Sequence, residues 1–178
     1  MPASLIEVLR QGGCYWKKER YDSPGHSIAI PNGTAFKIAI EGPQSHQFTA
    51  GICRNGYFIV NGGHHAGTKF NSANDAVNTV RDPSSNAFLY IHFHIGGRWV
   101  SADDLRRSED SQLDKAEEVA MGNALAAIRH HPKGKALNHV EATRKAADFV
   151  AKRPTMIDEA RQSLADIADI DLAEFGLT

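Results

Sequence analysis

Hydrophobic positions recur at two different spacings along the chain, and the spacing changes near residue 107. Between residues 27 and 100, apolar and polar residues tend to alternate, which is typical of half-buried strands. Beyond residue 107, apolar residues, many of them alanine, recur every three or four positions, as in amphipathic helices. We therefore predict an α+β domain over residues 1–107, with an antiparallel sheet and a covering helix, followed by a three-helix region over residues 108–178.

Two hairpins are predicted in the first half of the chain. Segments 27–30 and 35–40 flank a Pro-Asn-Gly sequence of turn formers, and we predict that they pair with each other. Segments 47–53 and 57–60 flank an Asn-Gly pair, which tolerates the positive φ of a tight turn. The second hairpin therefore carries the stronger local signal.

The most apolar stretch, residues 88–95, predicts a central strand of the sheet. It is followed by a Gly-Gly pair and by residues 98–100, where we expect the chain to turn back and Trp99 to pack over the sheet. A short helix is predicted at the start of the chain, and a second one is predicted to begin at a cap formed by Asn71 or Ser72.

The second half predicts helices over about residues 111–131 and 136–152, interrupted at Pro132, and a third from residue 155. Alanine stripes allow helices to approach closely but bury little area each. We expect these stripes to pack on one another or across a dimer. The helical region is therefore a candidate for self-association or for binding a protein partner.

Composition and charge narrow the functional classes. The 178-residue chain is 42% hydrophobic and 23% charged, as in ordinary globular proteins. It has no run of roughly 18 apolar residues, no secretion signal and only two cysteines, which favours a cytoplasmic location without a membrane partner. Residues 1–107 carry 11 Lys and Arg against 8 Asp and Glu, a net +3, whereas residues 108–178 carry 9 against 13, a net −4. An excess of +3 is small for a nucleic-acid-binding domain, and it indicates only that the first domain is the place to look for such a site.

Residues 47–107 contain several short motifs in a recognisable order. These are an Asn-Gly hairpin ending in Asn61-Gly62-Gly63, then Gly67-Thr68-Lys69-Phe70-Asn71-Ser72-Ala73, Asn86-Ala87-Phe88, and Gly97-Arg98-Trp99-Val100-Ser101-Ala102-Asp103-Asp104-Leu105-Arg106. This order resembles the RAMA domain, which accompanies restriction enzymes and adenine methylases. The chain departs from the family pattern at Asn86-Ala87-Phe88, where the family has Asn-Gly-Trp, and at Ser101, where it usually has proline.

The resemblance implies DNA contact, with possible sensitivity to base modification, through residues that match Thr68, Asn86, Phe88 and Arg106. Their chemistry fits, because an arginine fork bridges phosphate or guanine acceptors, asparagine reads an adenine edge, and an aromatic ring stacks on an unpaired base. On this basis we expect Arg106 to be exposed on the DNA-facing side. The full predicted DNA-binding set is Thr68, Lys69, Asn86, Phe88, Tyr90, Arg98, Arg106 and Arg107.

Each of these residues also has a structural interpretation. Arg106 and Arg107 suit a solvated charge pair at a helix end, Asn86 is a common turn residue, and Phe88 suits the core. These alternatives stay open at this point.

Histidines provide the competing signal for an enzyme. His92 and His94 alternate along the predicted strand and could bind zinc or another transition metal if His64, or else His65, His26 or His46, supplied a third ligand. No HExxH, Walker A or nucleophile-elbow sequence occurs in the chain. We therefore predict a non-catalytic DNA-binding protein of restriction, plasmid or phage biology, with no cofactor. A metal-dependent hydrolase and a protein-interaction adaptor are the alternatives.

Overall fold

The structure is a computed structural model, and it describes residues 4–18, 24–43, 46–81 and 86–168. It confirms the predicted α+β class, because antiparallel sheets with covering helices are followed by a C-terminal helical region. The last part of the predicted helical region, residues 169–178, lies outside the described residues.

The strands form two antiparallel sheets. Their bounds are β1 (Cys14–Trp16), β2 (Ile28–Ile30), β3 (Ala35–Ala39), β4 (Phe48–Arg54), β5 (Tyr57–Val60), β6 (Lys69–Phe70), β7 (Ile91–Ile95) and β8 (Arg98–Ser101). Strands β1 and β2 pair with each other, and the other six strands form one sheet in the order β6-β5-β4-β3-β7-β8.

The helices lie before, between and after these strands. Their bounds are α1 (Leu5–Arg10), α2 (Ala73–Val80), α3 (Ala87–Tyr90), α4 (Ala102–Arg107), α5 (Lys115–His130), α6 (Pro132–Lys135), α7 (His139–Lys152) and α8 (Thr155–Ala168). Ser72 caps α2, as the sequence predicts, by accepting a hydrogen bond from the Asp75 amide. None of the helices within the described residues is both long and apolar enough to cross a membrane.

One of the two predicted hairpins is confirmed and the other is wrong. Strands β4 and β5 pair around Asn55 and Gly56, whose φ values of 54° and 85° suit a type I′ turn. By contrast, β2 pairs with β1, and β3 pairs with β4 and β7. The Gly33 amide donates to the Cys53 carbonyl over 2.7 Å, so the linker after β2 extends the pairing of β3 with β4 instead of folding back on β2.

The prediction of a central strand over residues 88–95 is also wrong at its start and in its position. Residues 88–90 belong to α3, because the Asn86 side chain accepts a hydrogen bond from the Phe88 amide and the Asn86 carbonyl accepts one from Leu89. Strand β7 therefore begins at Ile91 and is the second strand from one edge of the sheet. The predicted turn into β8 is confirmed.

One face of the six-stranded sheet is covered. It packs against the β1–β2 hairpin and against α2, α3 and α4. The buried side chains of this core include Trp16, Ile28, Ile30, Phe36, Ile38, Phe58, Val60, Val77, Ile91, Phe93 and Leu105. The core of the α+β part thus lies on a single side of the sheet.

A second core joins the C-terminal helices to α1. Alanines of α5 and α7 pack together, as their stripes predict, and Leu5, Ile6 and Leu9 of α1 complete this core. The domain boundary near residue 107 stays a prediction, but the packing of α1 connects the start of the chain with the helical region. The tip of the β4–β5 hairpin contacts both, because the Gly56 amide donates to the Gly12 carbonyl and the Asn138 side chain donates to the Tyr57 hydroxyl.

Candidate nucleic-acid interface

The other face of the six-stranded sheet carries aromatic and basic side chains. Pairing register and the alternation of side chains place fourteen residues on it: Ala35, Lys37 and Ala39 of β3, Phe48, Ala50, Ile52 and Arg54 of β4, Tyr57 and Ile59 of β5, Lys69 of β6, His92 and His94 of β7, and Trp99 and Ser101 of β8. We call these residues the open face, although Ala39 itself is buried. None of these described strand residues is acidic.

Lys37 is the centre of the open face. Its Nζ lies 4.2 Å from the centroid of the Phe48 ring and 4.4 Å from that of Trp99. Its strand, β3, lies between the strands that carry the two rings. Phe48 and Trp99 remain 37% and 44% exposed, so solvent still reaches both rings despite the contact with the amine. The group combines one cation with two accessible aromatic surfaces.

Two histidines adjoin these rings. His94 lies 5.0 Å from Trp99 between ring centroids, and His92 contacts Phe48 edge to face at 6.3 Å. Burial lowers the pKa of His92 and the charge of Lys37 lowers it further, while Asp104 acts in the opposite direction. His92 is therefore neutral at neutral pH, and its protonation would add a positive charge beside Lys37.

The part of the chain that the structure describes gives the metal-site alternative no third ligand. Among the described residues, no group of three His, Cys, Asp or Glu side chains is placed to hold a metal ion. His64 lies in a short 3₁₀ turn, Gly63–His65, which follows β5. A cation beside His92 would also be repelled by the neighbouring Lys37 ammonium. The histidines are better described as part of the open face.

Three residues of the predicted DNA-binding set lie at the edges of the sheet. Lys69 is exposed on β6, belongs to the open face and lies 5.6 Å from the centroid of the Tyr57 ring. Thr68 is exposed immediately before it. Arg98 is exposed on β8, but strand alternation directs it to the opposite side from Trp99. Lys69 is thus the member of the set that the structure brings to the open face.

Phe88 and Arg106 lie instead on the covered side, in a stack with Trp16. The Phe88 ring is parallel to that of Trp16 at 4.1 Å, and the Arg106 guanidinium lies 4.1 Å from the Phe88 centroid. Arg106 is only 5% exposed, and it pairs with Asp103 at 2.7 Å. The prediction that Arg106 is exposed is wrong, because its side chain is held between Phe88 and Asp103.

The contacts of Asp103 explain how a charged group is accommodated there. Burial acts to raise the pKa of the Asp103 carboxyl, but hydrogen bonds from Arg106 and Arg107 outweigh it and leave the pKa below its usual value. The carboxylate is therefore charged and neutralises the buried guanidinium. The Arg106 carbonyl also accepts a hydrogen bond from the His26 amide, which attaches α4 to the segment before β2.

The other predicted residues also make local contacts. Asn86 caps α3, and Arg107 pairs with Asp103 at 3.2 Å while remaining half-exposed. The Tyr90 ring lies 3.5 Å from the Arg81 guanidinium carbon. Their DNA contacts stay predictions, and the geometry assigns each of them a structural contact as well.

Sequence reasoning missed the central residues of the open face. Lys37, Phe48 and Trp99 were not included in the predicted set, although the alternation of Lys37 with Phe36 and Ile38 could have placed Lys37 on the polar face of its strand. For Phe48 the pattern misleads, because Phe48, Ala50 and Ile52 share the open face while Thr49 and Gly51 are buried. Comparison of the chain with known protein families, curated proteins and solved structures finds no significant match. The resemblance to the RAMA domain therefore stays a prediction, and the geometry of the open face is the basis for assigning a function.

Proposed function

We propose that this protein binds DNA through the open face of its six-stranded sheet and catalyses no reaction on it. One observation carries the proposal: a solvent-accessible sheet face holds Lys37, Arg54 and Lys69 together with aromatic rings, and no carboxylate lies among its strand residues.

Electrostatics supports this function. The net charge of the whole chain is −1, so there is no general excess of positive charge to attract polyanions. Three cations instead share one face whose strand residues include no carboxylate, and there they can neutralise phosphates and release the counterions that surround DNA. Phosphate contacts of this kind provide affinity and orientation without sequence readout.

The biological setting belongs to the same proposal. The resemblance to a domain of restriction enzymes and adenine methylases favours a role in restriction, plasmid or phage biology, with recognition of modified DNA as a specific form of it. Matched duplexes with and without methylated adenine test this part directly. Equal affinity for the two duplexes would be compatible with DNA binding and would exclude recognition of methylated adenine.

A titration with labelled DNA at two salt concentrations tests the function itself. The test variant carries Lys37→Gln, Arg54→Gln and Lys69→Gln. We expect its negative slope of log affinity against log salt to become shallower by about 2 to 3, because each phosphate contact contributes about 0.9 to the steepness on duplex DNA. The matched control, Lys135→Gln, Lys145→Gln, Lys152→Gln, removes three exposed charges from the helical region and should leave the slope unchanged. Equal effects of the two variants, or no salt-dependent binding by the wild type, would overturn the proposal. The second outcome would favour the protein-interaction adaptor.

A further inference from the structure

We infer that the open face binds single-stranded DNA, with Phe48 and Trp99 as two positions for base stacking and Lys37 as the contact for the phosphate between them. This inference rests on the proposed function and specifies its ligand. It follows from four features of the face: the rings, the position of the amine, the place of these residues in the sheet, and the apolar surface beside them.

The exposed rings favour unpaired bases. In a duplex, each base is stacked on its neighbours and its flat surface is hidden from protein side chains, whereas a single strand can place its bases on aromatic rings. Phe48 and Trp99 are more than one third exposed, so each presents a surface on which a base can stack. The adjacent His92 and His94 rings enlarge the two aromatic areas.

The position of Lys37 favours two bases linked through one phosphate. Its amine lies within 4.4 Å of both ring centroids, so a strand whose bases stack on Phe48 and Trp99 must pass its backbone close to this amine. An ammonium is a compact point charge that suits a phosphate oxygen. The same amine that now contacts the rings is therefore available to neutralise the linking phosphate.

The place of these residues in the sheet argues against a duplex. A helix or a two-stranded ribbon can enter the major groove, which is about 12 Å wide. Lys37 instead lies on β3, which has β4 and β5 on one side and β7 and β8 on the other. A six-stranded sheet is wider than the ribbon that this groove admits, whereas a single strand can lie across the sheet with its bases on the two rings.

The apolar surface favours DNA over RNA. Ala35, Ala50, Ile52 and Ile59 form the part of the open face that extends from Lys37 towards β5. A ribose 2′-hydroxyl packed against these side chains would lose water without gaining a hydrogen-bond partner, which is unfavourable. Deoxyribose has no such group to desolvate.

Fluorescence anisotropy with labelled oligothymidine, oligouridine and a matched DNA duplex tests the inference on the full chain. We expect the wild type to prefer oligothymidine, and Phe48→Leu and Trp99→Leu each to weaken that binding by roughly 5- to 150-fold, since one stacked base is worth about 1–3 kcal/mol. The control is Phe149→Leu on α7, because Phe149 is similarly exposed and also has a cation, Arg153, 4.5 Å from its ring centroid. This control should bind as the wild type does, and thermal unfolding of all variants verifies that they are folded.

A second readout uses the two tryptophans. Trp16 is 3% exposed and Trp99 is 44% exposed, so base stacking should quench Trp99 alone. The quenching should disappear in Trp99→Leu and persist in Phe149→Leu. Quenching that survives in Trp99→Leu would contradict stacking on this ring.

The outcomes separate this inference from the function on which it rests. If the duplex binds best, or if the ring variants bind normally while the Lys37, Arg54, Lys69 variant is weakened, the protein binds DNA but the single-strand inference is overturned. Binding to oligouridine as tight as to oligothymidine overturns the choice of DNA. If no oligonucleotide binds in a salt-dependent way, the proposed function itself fails.

Discussion

The two faces of the six-stranded sheet each hold a cation against an aromatic ring, at nearly equal distances. On the covered face, the Arg106 guanidinium lies 4.1 Å from Phe88, and on the open face the Lys37 amine lies 4.2 Å from Phe48. Arg106 is sealed in the core and neutralised by Asp103, whereas none of the ion pairs among the described residues involves Lys37. A cation paired with an aromatic ring thus belongs to the core on one side and is exposed to solvent on the other.

The difference shows why residue type alone does not identify a binding site. Arginine and phenylalanine are the residues that a DNA-binding interpretation would choose, and here both are used within the fold. Burial decides between packing in the core and binding a ligand. A side chain whose charge is already paired and whose surface is already buried cannot contact a ligand without breaking those contacts.

Tryptophans on the two faces should differ most in their effect on stability. Trp16→Ala removes a buried ring that stacks on Phe88, and large-to-small changes of this kind cost about 3–5 kcal/mol of unfolding free energy. Trp99→Ala removes a ring that is nearly half exposed and should cost less than about 1.5 kcal/mol. Denaturant unfolding measures both values. Similar costs for the two substitutions would remove the distinction between the faces.

Adjacent arginines of α4 provide a second comparison. Arg106→Ala leaves the Phe88 ring without its cation and removes a buried partner of Asp103, so we expect a loss of about 3 kcal/mol in unfolding free energy. Arg107→Ala is the control, because its side chain is half-exposed and should contribute less than about 1 kcal/mol. A result in which Arg106→Ala unfolds as the wild type does, but loses DNA binding, would restore the exposed role that the sequence predicts for Arg106.

Substitution of Lys37 should change the salt dependence of DNA binding and barely change the free energy of unfolding. Lys37→Met keeps a long apolar side chain against the rings and removes the charge. The negative slope of log affinity against log salt for single-stranded DNA should therefore become shallower by about 0.7. Lys145→Met, on the exposed surface of α7, serves as the control and should leave the slope unchanged. If the two substitutions change the slope equally, Lys37 does not contact a phosphate.

His92 should give the smallest effect, a change in the pH dependence of stability. Because the pKa of His92 is lower in the folded protein, the unfolded chain binds more protons as the pH falls below the usual value of 6.5. The contribution of His92 to stability is therefore lost as the pH falls through this region. Lys37, which lowers the pKa of His92, and Asp104, which raises it, are the charged groups that act on this side chain. His92→Gln should reduce the loss measured by thermal unfolding between about pH 7.5 and 5.5. An unchanged pH profile would show that folding does not lower the pKa of His92.

Local signals predicted the elements of the fold better than their arrangement. The Asn55-Gly56 turn and the alanine stripes of α5 and α7 depend on neighbouring residues, and both were predicted from the sequence. The pairing of β3 with β4 and β7 depends on contacts between distant segments, which strand periodicity does not encode. The site was missed for the same reason, because Lys37, Phe48 and Trp99 come together only through the strand order.

The errors near Phe88 have a more specific cause. An apolar run of this length fits either a strand or a buried helical turn, and the Asn86 cap together with the stack on Trp16 decides for the helix. The burial of Arg106 was equally hidden, since it requires Asp103 one helical turn earlier and an aromatic ring from another segment. Tertiary packing therefore determines both the helical conformation at Phe88 and the burial of Arg106.

The place of α1 in the helical core sets an order of events during synthesis. Ser4 donates a hydrogen bond to Glu117, 113 positions away, and Leu5 and Leu9 pack in one core with Ala146 and Ala147. On a ribosome, the apolar side of α1 therefore emerges long before the helices that cover it. The sheet can form in the interval, but the helical core closes only after α7 has been made, which adds contacts of high sequence separation and slows that step. Helix α1 is thus made well before α5 and α7, the helices with which it shares its core.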